Sequence, residues 1–333
     1  MKNKIWLPAL ILLVSGLAVM LCVLAASGFR FTLISTLPFT ATTTDLADAE
    51  ITEIEIDTEF FDVFILPTEA GEGASVRHAG CAEYFHMIEV TEGKLSIRVV
   101  DTHAWHQKIG IFNTPDELDV LELRLPKGTY QNLKITTASG DATVKDAAFV
   151  FDTATVLTAS GDSQLFATVN KECHVSSASG DIEIRNVTGG LIDVTTTSGD
   201  TVIADCTPRD LHIESTSGEI TLARILLGES TTKLESTSGE ILLTDVLGGI
   251  NCSLEIRTAS GDVSMLQSDA GHIVIDTTSG EVEISLLSGK DFQVSSTSGD
   301  LNYPTSDATG GICRVETTSG DIEIRVNSIS AAQ

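Results

Sequence analysis

The sequence is poor in aromatic and in basic residues. Phe, Trp and Tyr make up 5% of its 333 residues, which leaves little material for a hydrophobic cleft or for platforms on which sugars stack. Lys and Arg number 20 against 47 Asp and Glu, so the formal net charge is −27. A chain of this sign repels nucleic acid and anionic lipid headgroups, and we therefore exclude nucleic acid as a partner.

Charge is absent from a long stretch near the N-terminus. Ile5 to Ala26 contain no charged residue, and a run of this length spans a bilayer. Lys2 and Lys4 precede it, so the positive-inside rule predicts a cytoplasmic stub at residues 1–4, a transmembrane anchor at residues 5–27 and an extracytoplasmic remainder. A cleaved signal peptide is the alternative, because Ala25 and Ala26 are small enough for a cleavage site. We favour an uncleaved anchor because the apolar run exceeds the roughly 7–15 residues of a signal core.

The prediction is therefore a single-pass protein of the cell membrane. All 47 acidic residues lie at or after Asp45, and the part beyond the anchor carries a net charge of −30 (17 basic, 47 acidic). Its cysteines have neither regular spacing nor the density of a disulfide scaffold. We expect buried free thiols rather than disulfides at Cys81, Cys173, Cys206, Cys252 and Cys313.

One short phrase, ending in Ser-Gly-acid, occurs ten times after residue 130. The fifth residue before its glycine is aliphatic, the third and first are hydroxylated, and the fourth after it is apolar. Alternation on both sides predicts two strands that meet at a corner, where glycine provides positive φ or permits close approach of the backbone. The corner glycines are separated by 19 to 22 residues: Gly140, Gly161, Gly180, Gly199, Gly218, Gly239, Gly261, Gly280, Gly299 and Gly320.

This regularity predicts an all-β fold, a parallel β-solenoid of about ten coils of 19–22 residues stacked in register. At ~4.8 Å per strand the ten coils would form a rod of roughly 48 Å. We expect a linker at residues 28–48, a β-rich N-terminal cap at 49–130 and the solenoid at 131–333. Hydroxyls inside the corners are expected to bond from coil to coil, so that their burial is compensated. A leucine-rich repeat has a similar period, but its LxxLxLxxN pattern is absent.

The whole chain resembles a known family. The anchor, a cap with HAWHQKIGI at residues 103–111 and LPKG at 125–128, and the ten phrases are similar to the bacterial putative adhesins, domain of unknown function 4097, whose members contain runs of T-x-[ST]-G-[DE] repeats. The resemblance implies a membrane-tethered extracytoplasmic β-solenoid with no known catalytic residue. It also implies a link to envelope stress, since some relatives are encoded near stress-response systems.

The residue after each corner glycine is always acidic and predicts one solvent-facing carboxylate column. Two interpretations stay open: each carboxylate accepts backbone N–H bonds at its own corner, or cations, calcium above all, bridge adjacent carboxylates. The GGxGxDxUx calcium repeat is absent, which weakens the second. The column comprises Asp141, Asp162, Asp181, Asp200, Glu219, Glu240, Asp262, Glu281, Asp300 and Asp321.

Other sites are disfavoured. Parallel β-helix polysaccharide lyases and hydrolases build clefts from long irregular loops, whereas these coils differ by at most three residues. An ice-binding surface needs flat threonine files, and charges interrupt the second file here. Asp101, His103, Trp105 and His106 could suggest a metal cluster, but such residues in a polar stretch are usually solvated. No histidine recurs at a fixed distance from the corner serine, so a catalytic triad is not supported.

The sequence thus predicts a non-catalytic, adhesin-like interaction module with no required cofactor. The expected partners are the membrane, through the N-terminal helix, and cationic peptides or cell-surface components attracted by the acidic rod. A passive surface rod is the alternative, and a carbohydrate-active enzyme is a distant one.

Overall fold

The computed structural model describes residues 40–102, 120–307 and 310–327, and these residues form strands and connecting turns without a helix. Seven strands precede the first phrase: β1 Thr40–Leu46, β2 Glu53–Asp57, β3 Asp62–Pro67, β4 Ala74–Gly80, β5 Tyr84–Thr91, β6 Lys94–Asp101 and β7 Val120–Leu125. None of the described residues belongs to a helix that could cross a membrane. The predicted anchor, residues 5–27, lies outside them.

Each of the ten phrases lies between the two strands of a pair. The pairs are β8 Thr129–Thr137 with β9 Ala142–Val144, β10 Val150–Thr158 with β11 Ser163–Phe166, β12 Thr168–Ser177 with β13 Ile182–Arg185, β14 Leu191–Ser198 with β15 Thr201–Ala204, β16 Asp210–Ser217 with β17 Ile220–Leu227, β18 Thr231–Ser238 with β19 Ile241–Gly248, β20 Ser253–Thr258 with β21 Val263–Ser268, β22 His272–Ser279 with β23 Val282–Leu286, β24 Asp291–Ser298 with β25 Leu301–Asn302, and β26 Ile312–Ser319 with β27 Ile322–Val326.

The strands before and after the corners form two separate sheets. The pre-corner sheet has 13 strands in the order β24-β26-β22-β20-β18-β16-β14-β12-β10-β8-β2-β6-β5. The post-corner sheet has 14 strands in the order β1-β4-β7-β3-β9-β11-β13-β15-β17-β19-β21-β23-β27-β25. Within the repeats every pairing is parallel, which confirms the predicted all-β parallel solenoid.

The register places equivalent residues of neighbouring coils over one another. Val156 pairs with Val175, Val175 with Val194, and Val194 with Ile213. These aliphatic side chains belong to a continuous core that extends from Ile54 to Ile324. Full burial of one Val, Leu or Ile side chain stabilises the fold by about 1.5–3 kcal/mol, so the repeated aliphatic position is the main driving force for stacking.

The spatial order of the coils differs from the chain order at both ends. The tenth coil, β26–β27, lies between the eighth and the ninth. At the other end β2–β3 lies between β6–β7 and β8–β9. The coils are therefore stacked in register, as predicted, but not strictly in chain order. The physical reason is that nearly identical phrases offer nearly identical edges, so turn contacts decide which coil lies on which.

Antiparallel strands close the N-terminal end of the rod. β4 pairs with β7 and β1 pairs with β4 in the post-corner sheet, whereas β5 pairs with β6 in the pre-corner sheet. This end contains an aromatic cluster in which Phe61, Tyr84 and His86 are buried. The histidine ring lies edge-on against Phe61, with 4.5 Å between ring centroids, and 5.6 Å from the ring of His78.

The cysteines of the described segments are all free thiols, as predicted, and four of the five are buried. Burial raises the pKa of the Cys206 thiol to about 11, which keeps it protonated and unreactive. His103, Trp105 and His106, where the sequence disfavours a metal cluster, lie outside the described residues.

Candidate functional site

The acidic residues of the phrases form a column that hydrogen bonds hold together. Oδ1 of each Asp except Asp300, which lies in the last coil of the rod, accepts the backbone N–H of the acidic residue in the next coil, at 2.8–2.9 Å. Asp141 accepts from Asp162, and Asp162 accepts from Asp181. The same bond connects Asp181 with Asp200, Asp200 with Glu219, Asp262 with Glu281, and Asp321 with Asp300.

The bonds therefore go to the neighbouring coil and not, as one interpretation of the sequence held, to the corner's own backbone. In-register parallel stacking is the reason, because it places the next N–H directly beside the short Asp side chain. A negative acceptor strengthens a hydrogen bond to roughly 1.5–3 kcal/mol. That gain offsets a repulsion of roughly 0.9 kcal/mol between unit charges ~4.8 Å apart in water.

The glutamate residues of the column donate their backbone N–H in this bonding, as Glu219 and Glu281 do, but their carboxylates do not accept one. Among the described residues, Glu219, Glu240 and Glu281 accept no N–H from the following coil. Glu219 instead accepts the hydroxyl of Thr221 at 2.6 Å. The extra methylene carries the carboxylate past the neighbouring amide, so the choice between Asp and Glu decides whether a coil is bonded through its corner.

The column begins one coil earlier than the sequence predicted. Asp62 accepts the N–H of Asp141 at 2.9 Å, and Phe61 occupies the position of the corner glycine. Partial burial raises the pKa of Asp62, and the nearby charge of Asp141 acts in the same direction. The signal was present in the sequence: Ile56, Thr58, Asp62 and Ile65 follow the phrase, but without its glycine the match is missed.

Close approach between neighbouring coils explains why the corner residue of each phrase is glycine. A Cβ on Gly161 would overlap the carbonyl oxygen of Gly140. At Gly218 the backbone also has a φ of +133°, which disfavours any side chain. Glycine is therefore needed at the corners both for close approach of the backbone and for positive φ, the two reasons that the sequence suggested.

The hydroxyls inside the corners confirm the prediction of coil-to-coil bonding only in part: Ser217 and Ser296 donate to carbonyl oxygens of an adjacent coil, those of Thr197 at 3.3 Å and Gly320 at 3.2 Å. Thr137, Thr158 and Ser177 accept the N–H of their own corner glycine at 2.8–3.0 Å. Six later hydroxyls are buried without a protein partner: Thr196, Ser215, Ser236, Thr258, Thr277 and Thr317. Coil-to-coil bonding between them is absent in the described coils because in-register positions lie ~4.8 Å apart, beyond the 2.5–3.0 Å of an O–H···O bond.

A groove crosses the outer surface of five consecutive coils, from β14 to β22, beside the corners. It has a volume of about 600 Å³, and we call it the corner groove. Each coil contributes three successive residues, so the lining repeats: Thr195–Thr197, Glu214–Thr216, Glu235–Thr237, Arg257–Ala259 and Asp276–Thr278. Both outward files can be recognised in the sequence, but their concavity cannot, because curvature depends on how the stacked strands bend.

Charge in the corner groove is predominantly negative. Glu214, Glu235 and Asp276 line it together with one basic residue, Arg257. The Arg257 guanidinium lies 3.1 Å from Glu235, 3.3 Å from Glu255 and 3.8 Å from Asp276. All four side chains are partly exposed, so these ion pairs are weak and open to exchange with a cation from outside.

A second groove of about 600 Å³ lies on the cap and includes Glu53, Glu55 and Asp57. Its charge is more fully compensated, since Lys94 lies 2.7 Å and Lys134 3.0 Å from Glu55. Hydrogen bonds from these two lysines lower the pKa of Glu55. Within the described residues, no three His, Cys, Asp or Glu side chains are arranged to hold a metal ion. Calcium bridging of the column stays a prediction.

Comparison with known proteins places the chain in a family. The model of the family Toastrack DUF4097 matches residues 51–246 and 230–333. The chain belongs to the Toastrack family. These ranges begin at the cap and include all ten phrases, so the Toastrack match covers both grooves and the carboxylate column. Among curated proteins none matches.

Two solved structures are similar to this Toastrack chain. One is a putative adhesin from Parabacteroides distasonis, with 14% identity, coverage of 85% of this chain and 98% of that chain, and a TM-score of 0.39. The other is a putative cell adhesion protein from Clostridium sporogenes, with 8% identity, coverage of 87% and 99%, and a TM-score of 0.22.

Proposed function

We propose that this protein is a non-catalytic, membrane-tethered interaction module that binds extended cationic ligands on its extracytoplasmic rod. The observation that carries the proposal is the corner groove, which five successive coils line with three residues each, at equivalent positions. A ligand with a repeating backbone can contact such a groove over its whole length, so weak contacts add along it.

Electrostatics favours a positive ligand. The chain's net charge of −27 creates a long-range attraction for cations. Inside the corner groove, Glu214 has no basic residue within ion-pair distance among the described side chains, whereas Glu235 and Asp276 share Arg257. A lysine-rich or arginine-rich segment would bind Glu214 directly and would compete with Arg257 for the other two carboxylates.

The short, regular connections between the strands favour binding over catalysis. Long irregular loops are the usual source of a catalytic cleft in a repeat fold, and the phrases here are 19 to 22 residues apart throughout. The corner groove is open and built from strands. We extend the proposal to envelope-stress sensing, in which a cationic envelope-damaging peptide is the bound signal, on the strength of the family resemblance.

Binding of an oligolysine peptide to the full chain in detergent tests the proposal. We expect the double substitution Glu214→Gln and Glu235→Gln to weaken binding several-fold and to reduce its salt dependence. The matched control removes two exposed carboxylates outside the groove, Glu172→Gln and Glu229→Gln, and should change affinity much less. Equal losses in the two variants would show non-specific attraction, and no binding by the wild type would favour a passive rod.

A further inference from the structure

A lysine is buried at the C-terminal end of the rod. The Lys290 side chain is 2% exposed, and that of its neighbour Asp269 is 14% exposed. Lys290 directly precedes β24, and the register aligns it with Gly311 and Gly271 in the two adjacent coils. Both are glycines at which a Cβ would overlap the backbone of the next coil.

The lysine nitrogen makes three close contacts. Nζ donates to the carbonyl oxygens of Ala270, at 2.7 Å, and Gly310. It also lies 2.5 Å from Oδ1 of Asp269, closer than the 2.7–2.9 Å usual for an ammonium and a carboxylate. Despite that distance, Oδ1 accepts no hydrogen bond. The Nζ–Oδ1 distance is that of an ion pair, but the angle is not that of a hydrogen bond. Because hydrogen bonds are strongly directional, we describe the two atoms as in contact without a hydrogen bond between them.

The other carboxylate oxygen is held separately. Oδ2 of Asp269 accepts the hydroxyl of Ser288 at 2.7 Å. The pair is largely closed to solvent, since the nearby Cys313, Leu286 and Ala270 are at most 1% exposed. Such a site limits access of the water that would reverse a condensation.

We propose that Lys290 and Asp269 condense to an intramolecular amide bond. A proton passes from the ammonium to the carboxylate, the free electron pair of Nζ attacks Cγ, and the C–Oδ1 bond breaks. Oδ1 departs as water with two of the three protons that Nζ carried, and the third stays on the amide nitrogen. Oδ2 becomes the amide oxygen, and the Ser288 hydroxyl stabilises the charge that develops on it during attack. No oxidant or cofactor is consumed, and the fixed geometry supplies the proximity that the reaction needs.

The position of the bond indicates a structural role. It joins the turn before the eighth coil to the start of the ninth, across Gly310 of the inserted tenth coil. The ninth coil ends the rod, and its inward-facing Leu301 and Tyr303 are 41% and 43% exposed. A covalent link at this end prevents the outermost coil from separating, in a chain whose described cysteines form no disulfide.

Mass spectrometry of the denatured, trypsin-digested full chain tests the proposal. Without the amide, trypsin cuts after Lys290 and releases residues 258–290. With the amide this cut is blocked, and we expect residues 258–314 as one peptide that is lighter by one water, with fragment ions that locate the link between Asp269 and Lys290. A synthetic 258–314 peptide with a free lysine controls for slow cleavage before Asp291.

Recovery of residues 258–290 at full mass from the folded wild type would overturn the proposal, and this result requires no variant to fold. In the variant Asp269→Asn, attack on the side-chain amide releases ammonia instead of water, so the linked peptide should have the same mass as the wild-type product. In Asp269→Ala the cut after Lys290 should return. A water-depleted peptide that persists there would assign the link to another carboxylate and reject this one.

Discussion

Removal of a single Asp from the carboxylate column should loosen one corner of one coil. Asp181 accepts the N–H of Asp200 at 2.9 Å, and its own N–H is donated to Asp162. Asp181→Ala deletes a charge-assisted bond that stabilises by roughly 1.5–3 kcal/mol. It also relieves two repulsions of roughly 0.9 kcal/mol each at ~4.8 Å in water. The net loss should be small in low salt, between about 0 and 1 kcal/mol, and should grow in high salt, where the repulsions are screened.

Amide hydrogen exchange at Asp200, followed with denaturant unfolding of the full chain, measures this effect. We expect exchange at Asp200 to accelerate in Asp181→Ala and to recover in Asp181→Asn, which keeps an acceptor oxygen without the charge. The matched control is Glu240→Ala, because Glu240 accepts no N–H from the next coil. If Asp181→Ala and Glu240→Ala behave alike, or if the loss in stability shrinks as salt increases, the column is not held together by these bonds.

Four further outcomes are expected. Gly161→Ala should lower the midpoint of denaturant unfolding by more than Gly249→Ala, since a Cβ at Gly161 overlaps a neighbouring carbonyl and one at Gly249 meets nothing within 4 Å. Ile213→Ala should destabilise the chain by about 2–5 kcal/mol, measured in the same way, because Ile213 is fully buried. Burial lowers the pKa of His86 from its ordinary 6.5 to about 4. The contribution of neutral His86 to stability is therefore complete above pH ~6.5 and is lost as the pH falls toward 4. Unfolding measured against pH should show a smaller loss of stability over this range in His86→Gln than in the wild type. Calcium should raise the melting temperature of the wild type if ions bridge the column, and an unchanged melting curve would reject calcium binding.

The solenoid could be predicted from the sequence because its determinants are local and repeated. Alternation on both sides of the glycine indicates two strands, and an identical phrase in every coil fixes the register, as the pairing of Val156, Val175 and Val194 shows. The exposed position of the acidic column follows from the same alternation. The first acidic position was missed because Phe61 replaces the glycine at that corner.

Other features depend on contacts that repetition does not encode. The order of the coils at the C-terminal end is accompanied by turn contacts such as those of Lys290, whose counterparts in the register, Gly311 and Gly271, cannot make them. Whether an Asp side chain bonds to its own corner or to the next coil depends on how its length matches the spacing of the stacked coils, and only the structure reveals that match. A second corner, where Asn186, Asp205 and Arg224 have positive φ, also escaped notice, since the residues at that position share no side-chain chemistry.

Hydrogen exchange of the full chain with and without oligolysine tests the central claim most directly. We predict that the peptide slows exchange in five separate stretches, at residues 195–197, 214–216, 235–237, 257–259 and 276–278, which are far apart in sequence and adjacent in the corner groove. Protection confined to the cap groove around Glu53 and Glu55, or spread evenly along the rod, would contradict it.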